Sequence, residues 1–322
     1  MSRLISKRSV IRGMAAATGI LAIASAHAAD PVRLKIATSN VYGVASTFAA
    51  NPEDKPEGVV FETVIFPGGV QDVITALNAG QVDIAEIGET GAVIAAAAKS
   101  TFKVIAATES WEDGEGIIVF NTSPIKTVKE LKGKKVSYPR ATNAQWFLTK
   151  ALQKEGLTLN DIQSTFLPAG TNLLAALEAG VIDASVYIDP LLAAYEAQGA
   201  RTISTPRDIN FPSRTLFAAS DNAIERKKEA VAGYVRHVAR HLDWAHKNPE
   251  VRADFQAKLL KLDPKVNLVA EKRRPKALDP IADHTVAESQ EIADTFLTQG
   301  VLKEAVVVKP YFTTEFNAAI KP

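Results

Sequence analysis

The chain has 322 residues, 47% hydrophobic and 23% charged, with a formal net charge of +1. That length suits two domains of ordinary size, and the near-neutral balance leaves no basic footprint for nucleic acid. With no cysteine, disulfides, thiol catalysis, cysteine metal sites and a lipid-anchored N-terminal cysteine are excluded.

Arg3, Lys7, Arg8 and Arg12 precede an apolar run over 14–23, and Ala26-His27-Ala28 offers small residues for cleavage. This pattern predicts a secretory signal peptide over 1–28, because the apolar run is too short to span a bilayer. The mature chain is then expected to begin at Ala29 and to reside in the periplasm. Ser6-Lys7-Arg8 is similar to a twin-arginine signal with Lys in the first Arg place, which leaves both export routes open. Removing the signal takes four cations with it and leaves the chain slightly acidic.

Residues 32–38 (VRLKIAT) alternate apolar and polar, predicting a first strand. Ser39 to Gly43 reads as a loop into a small helix, and 59–66 as a second strand. The stretch FPGGVQDVITALNAGQVDIAEIGE, 66–89, then reads as loop, helix, stop and buried strand. Val70, Val73, Ile74 and Leu77 form one apolar stripe, and Gly80 is placed for a left-handed helix stop. Residues 88–91 read as a loop, 92–98 as a small-residue helix and 103–108 as a fourth strand. Strands alternating with helices imply parallel sheets covered by helices.

After a strand at 117–120 the rhythm restarts. Thr127 and Glu130 form one capping box signal, Thr142 and Gln145 another. Then FLPAGTNLLAALEAGVIDASVYIDP, 166–190, repeats the earlier stretch: Phe66, Ala76, Leu77, Ala79, Gly80 and Asp83 recur one hundred residues later as Phe166, Ala176, Leu177, Ala179, Gly180 and Asp183. So long a period implies two lobes of similar build rather than a solenoid. A short strand is expected at 201–204, another at 215–219, and helices over 234–245 and 285–299. The α/β chain therefore divides into a first lobe over 29–118, a second over 119–218, and a helical region over 219–322 that closes the first. Strands near 117–120 and 215–219 carry the chain between them.

The segments VIFPGGVQDVITALNAGQVDIAEIGETG, IKTVKELKGKKVSYPRATNAQWFLTKALQKEGLTLNDI, LEAGVIDASVYIDP and EKRRPKALDPIADHTVAESQEIADTFLTQGVL together resemble periplasmic solute-binding proteins of aliphatic sulfonate, taurine and nitrate uptake. The resemblance runs over nearly all of the mature chain. It implies a type II periplasmic-binding-protein clamshell, each lobe a mainly parallel sheet flanked by helices, with two crossover strands. It also implies capture of a small anion, most of all an aliphatic sulfonate, and delivery to an ABC permease in the inner membrane. Taurine, nitrate or an aromatic anion are the alternatives within that function. A thiamine-pyrimidine-synthase-like enzyme or a sensor domain are those outside it. No catalysis, cofactor, metal or nucleic acid is implied, and a monomer is expected. The chain departs from the family's pattern at Ile188 before Asp-Pro, at Gly88-Glu89-Thr90, and at Ala141-Thr142-Asn143.

Ligands of open parallel sheets sit outside the carboxyl ends of the strands, which two facing lobes bring to one cleft. The candidate ligand-binding residues are therefore Asn40, Tyr42 and Gly43; Gly68; Gly88, Glu89 and Thr90; Thr142, Asn143 and Ala144; and Tyr187 and Asp189. The 142–144 helix start offers free N–H groups and a favourable dipole to an anion. Glu89 and Asp189 can meet a ligand ammonium, against plainer readings as a solvated loop acid and a turn-forming Asp-Pro. Tyr42, Trp111, Trp146 and Tyr187 can wall the pocket or simply pack in a core. His237 and His241 have helical i, i+4 spacing but lack the glutamate of a metalloprotease motif.

Overall fold

The computed structural model describes residues 30–320, apart from 40–42, 57, 67–68 and 169–170. The signal peptide expected over 1–28 lies outside the described residues, as do Asn40, Tyr42 and Gly68. No described helix is long and apolar enough to cross a membrane.

In chain order, β1 (Val32–Thr38) leads through a 3-10 turn (Ala45–Ala50) to β2 (Val59–Ile65). Next come α1 (Val70–Asn78), β3 (Ile84–Gly88), α2 (Glu89–Ala97) and β4 (Phe102–Thr108). The second series is β5 (Glu115–Phe120), β6 (Lys135–Ser137), α3 (Asn143–Lys154), β7 (Gln163–Thr165), α4 (Leu173–Glu178), β8 (Ala184–Ile188), α5 (Leu191–Ala197) and β9 (Ala200–Ser204). After α6 (Pro206–Ile209) the chain runs through β10 (Thr215–Ser220), α7 (Asp221–Arg226), α8 (Lys228–Lys247), α9 (Pro249–Leu260), α10 (Pro264–Arg273), β11 (Leu278–Asp279) and α11 (Asp283–Thr298).

Two mixed sheets result, ordered β11-β4-β10-β3-β1-β2 and β7-β6-β8-β5-β9. Five strands of each follow one plan. β1 lies parallel between β2 and β3, as β6 does between β7 and β8. β10 runs antiparallel to β3, as β5 does to β8. β5 and β10 are the strands reached on each passage of the chain from one sheet to the other. β5 begins at Glu115, ahead of the 118/119 boundary read from the sequence.

The hundred-residue repeat is a repeat of structure. Gly80 and Gly180 adopt φ of 65° and 67°, a left-handed stop that costs glycine nothing sterically. In both copies the residue after the glycine bonds back to the helix, Gln81 to Ala76 and Val181 to Ala176, each at 2.9 Å. An aspartate then clips the neighbouring strand. Asp83 accepts from Lys35 N–H at 2.9 Å and Asp183 from Lys135 N–H at 2.7 Å.

Each sheet buries its own core. Leu34, Ile36 and Ile84 meet the apolar stripe of α8 (Val231, Tyr234, Val235, Val238, Leu242), while Val136, Ala184 and Val186 meet Phe147, Leu148 and Leu152 of α3. His237 and His241 lie against Phe48 at 4.5 and 5.1 Å between ring centroids. Burial pushes His241 down to about 2, so its ring is neutral in the fold, and burial lowers His237 as well.

Candidate functional site

A cavity of about 370 Å³ opens where the carboxyl ends of β1 and β3 meet those of β6 and β8. Thr38, Ser39 and Gly43 line it from the loop after β1, and Gly88 and Thr90 from the junction of β3 and α2. Pro139, Thr142, Asn143 and Ala144 contribute from the start of α3, Tyr187 and Ile188 from the end of β8. One wall is apolar, made by Trp111, Val186, Ile188 and Leu191, with Val44, Val70 and Ile87 opposite.

Asn143 joins the two sides. Its Oδ1 accepts from Thr90 N–H at 3.1 Å and from the Thr90 hydroxyl at 2.8 Å. Gly88 makes this approach possible: a Cβ there would come within 2.7 Å of the Asn143 amide. At Thr142 the expected capping box does not form. Its hydroxyl donates to the Pro139 carbonyl at 2.8 Å, and Gln145 Oε1 accepts from Ala141 N–H at 2.8 Å. No side chain caps α3, so its leading N–H groups, among those a helix cannot satisfy internally, border the cavity at Asn143 and Ala144.

Seven expected residues thus line the cavity: Gly43, Gly88, Thr90, Thr142, Asn143, Ala144 and Tyr187. Glu89 and Asp189 do not. Instead of a loop at 88–91, α2 begins directly at Glu89, which is 1% exposed. Its carboxylate accepts from Arg214 N–H at 3.3 Å and lies 4.0 Å from the Arg214 guanidinium. Asp189 is wholly buried, accepts from Ala193 N–H at 3.0 Å in the first turn of α5, and lies 3.6 Å from Arg273. Burial pushes Glu89 up to about 8 and Asp189 up to about 6, against the pull of those arginines. Trp146 packs in the core, 6.1 Å from Phe211, rather than on the cavity.

The model of the family described as "NMT1/THI5 like" matches residues 56–251. This chain belongs to that family. A protein of Escherichia coli (strain K12) named for binding aliphatic sulfonates is 29% identical over 249 residues, 76% of this chain and 77% of its own. The crystal structure of the periplasmic aliphatic sulphonate binding protein SsuA from Escherichia coli aligns with a TM-score of 0.78 and 26% identity, over 87% of this chain and 97% of that one. The alkanesulfonate-binding protein SsuA from Xanthomonas axonopodis pv. citri, solved with MOPS bound, has the same fold. It aligns with a TM-score of 0.76 and 24% identity, over 88% and 99% of the two chains.

In this member of the NMT1/THI5 like family the cavity also contains charged groups that sequence reasoning missed: Glu86, Glu115, Arg214 and Arg274. Glu86 accepts from Ala45 N–H at 2.7 Å and from the Tyr234 hydroxyl at 3.3 Å. Glu115 accepts from the Ser213 hydroxyl at 3.1 Å. Burial pushes both up to about 7, so near neutral pH each is substantially uncharged. Two signals were available. Glu86 is the one acid inside the apolar run Ile84-Ala85-Glu86-Ile87, a buried polar residue that calls for an explanation. Arg274 stands in Lys272-Arg273-Arg274-Pro275 at a helix end, where a basic cluster reads as a solvated cap.

Proposed function

We propose that the protein is the periplasmic solute-binding component of an ABC importer and that its solute is a small organic anion, an aliphatic sulfonate above all. The observation that carries this reading is the amphipathic cavity between the two sheets. One part is bordered by the uncapped start of α3, the Thr90 hydroxyl and the Arg274 guanidinium; the rest is apolar. Helix N-termini and guanidinium groups favour an anion, and the apolar wall suits an alkyl chain that nitrate lacks. The named functions of the sulfonate-binding relatives agree.

On this reading the lobes 29–118 with 219–322, and 119–218, close on the solute, and the Asn143–Thr90 clasp forms across the closing cleft. Closure replaces the water around the anion with fixed N–H and O–H donors. The closed surface is what the permease reads. The solute is released unchanged, since the cavity serves to bind and not to react, and the protein acts as a monomer after its signal is removed. A taurine-like ammonium finds neither Glu89 nor Asp189 in the cavity; among the described residues Glu86 and Glu115 are the acids placed to receive it.

A thermal-shift screen of mature protein with a series of alkanesulfonates, taurine, nitrate and an aromatic sulfonate tests the reading. A solute bound only by the folded state adds about 2.7 kcal/mol of stability at one hundred times its Kd. The alkanesulfonates should raise Tm most, and mass spectrometry should recover them intact. A shift with nitrate alone, no shift at all, or a chemically altered ligand contradicts the assignment.

A further inference from the structure

The two arginines on the cavity have their charges answered differently. Arg214 is surrounded by acids: Glu288 in direct contact, Asp279 at 3.8 Å and Glu89 at 4.0 Å. Arg274 has one carboxylate, and it shares that one. Its Nε donates to Glu271 Oε1 at 2.8 Å, while Arg252 Nη1 donates to Glu271 Oε2 at 2.6 Å. Its Nη2 donates to the neutral Gln256 at 3.2 Å, and its Nη1 has no partner among the described residues. Two guanidinium groups against one carboxylate leave this cluster one positive charge in excess.

Asp189 also feels the Arg274 charge, but its carboxylate sits 3.6 Å from Arg273 and takes its hydrogen bond from Ala193 N–H, so Glu271 is the one acid in contact with Arg274 among the described residues. Glu86, on the far side of Arg252, is raised to about 7, chiefly by burial. His241 is held neutral by burial and by the positive charges of Arg252 and Arg274. Arg252 is 1% exposed and locked behind the wall, with Nε on the Thr47 hydroxyl at 3.0 Å. The Arg274 side chain, 8% exposed, borders the cavity. Its guanidinium lies over the Trp111 ring, 5.1 Å from the centroid, which fixes the plane of the fork. A nearly buried cation with an open donor on an amphipathic cavity is unfavourable until an anion completes it.

We propose that Arg274 receives the anionic head of the solute, and that Trp111 and the buried Arg252–Glu271 pair act as its positioning groups. This rests on the reading of the solute as an anion. It narrows the class to heads with at least two adjacent oxygens, sulfonate or carboxylate, which Nη1 and the second N–H of Nη2 can grip with two parallel bonds. The alkyl chain then runs along Val186, Ile188 and Leu191.

The test is calorimetry with hexanesulfonate and with neutral hexanesulfonamide on wild type, Arg274→Gln and Arg274→Lys. Both substitutions lose the Nε bond to Glu271, and only the first removes the charge. Arg274→Gln should weaken the sulfonate at least about tenfold and Arg274→Lys much less. The sulfonamide should change by less than about twofold in both, since it brings no charge for Arg274 to meet. Sulfonate binding unchanged in Arg274→Gln, or an equal loss for both ligands, overturns the proposal while leaving the sulfonate assignment standing. Should wild type prefer another anion that Arg274→Gln loses, the sulfonate assignment falls and Arg274 stands; wild type binding no anion overturns both. If Arg274→Gln does not fold, the Arg274 Nε–H resonance of wild type decides, assigned by its loss in Arg274→Lys. It should shift with sulfonate and stay fixed with sulfonamide; a resonance unmoved by saturating sulfonate overturns the proposal.

Discussion

The two copies of the helix–strand unit agree up to the last residue of the strand and then part. Each has the glycine stop, the aspartate clip and an acid one hundred residues from its counterpart, Glu89 and Asp189. Neither acid lines the cleft: Glu89, the first residue of α2, accepts from Arg214 N–H, and Asp189 accepts from Ala193 N–H in the first turn of α5. The cleft wall is left to the residues just before them, and there the copies differ. Gly88 is small, so Asn143 can reach across to Thr90; Ile188 is large and apolar. A common scaffold thus supplies a polar clasp on one side and an alkyl surface on the other. The shared features build the two sheets, and the unshared ones line the cavity between them.

The largest expected difference between the copies lies in how their acids are held. Arg214 serves Glu288, Asp279 and Glu89, and its side chain is 9% exposed. Arg214→Ala leaves those acids without a cation and should cost about 3–5 kcal/mol. Arg273 is 24% exposed, and Asp189 keeps its bond from Ala193 N–H without it. Arg273→Ala should therefore cost about 1 kcal/mol. Denaturant melts giving equal losses would break the comparison.

A smaller effect separates the copies by pH. In the first, Glu86 and Glu89 are raised from 4.5 to about 7 and about 8; in the second, Asp189 is raised from 3.8 to about 6, while Glu115 of β5, outside both copies, is raised to about 7. The folded chain holds these protons after the unfolded chain has lost them. The stability they contribute is whole below pH 3.8 and is lost as pH rises to about 8. The buried histidines act in the opposite sense, but only below 6.5, where the unfolded chain takes up protons that the fold refuses. Between pH 6.5 and 8 the carboxyls dominate, so Tm should fall, and Glu89→Gln should flatten the fall more than Glu115→Gln. A Tm that rises across this window contradicts the assignment of these protons.

The smallest expected difference concerns the strand clips. Asp83 holds Lys35 N–H and also Lys227, at 2.8 and 2.9 Å, whereas Asp183 holds only Lys135 N–H among the described residues. Asp83→Asn should cost about 1–2 kcal/mol and Asp183→Asn about 1 kcal/mol or less. Chemical denaturation of both variants reads the order directly.

Much of the scaffold was legible because its signals are local. Gly80 and Gly180 stop helices within a few residues of the stripe they end, and the repeat pairs them by eye. The start of α2 was missed because Gly88 precedes it without a capping side chain, so Glu89 read as loop. The cleft charges were missed for a different reason. Arg214 meets Glu89 and Glu288 from 125 and 74 residues away, and Glu86 meets Tyr234 from 148. Arg274 has its acid three residues away; what hid it was Trp111, brought beneath it by the fold alone.

The central claim is that one small anion is held between the two copies. The most direct measurement is a crystal structure of the mature protein saturated with hexanesulfonate. The account predicts the sulfonate at the head of α3, bonded to Arg274, with its chain against Val186, Ile188 and Leu191. A sulfonate bound in the crystal with the cleft between β3 and β8 free of it would contradict the account.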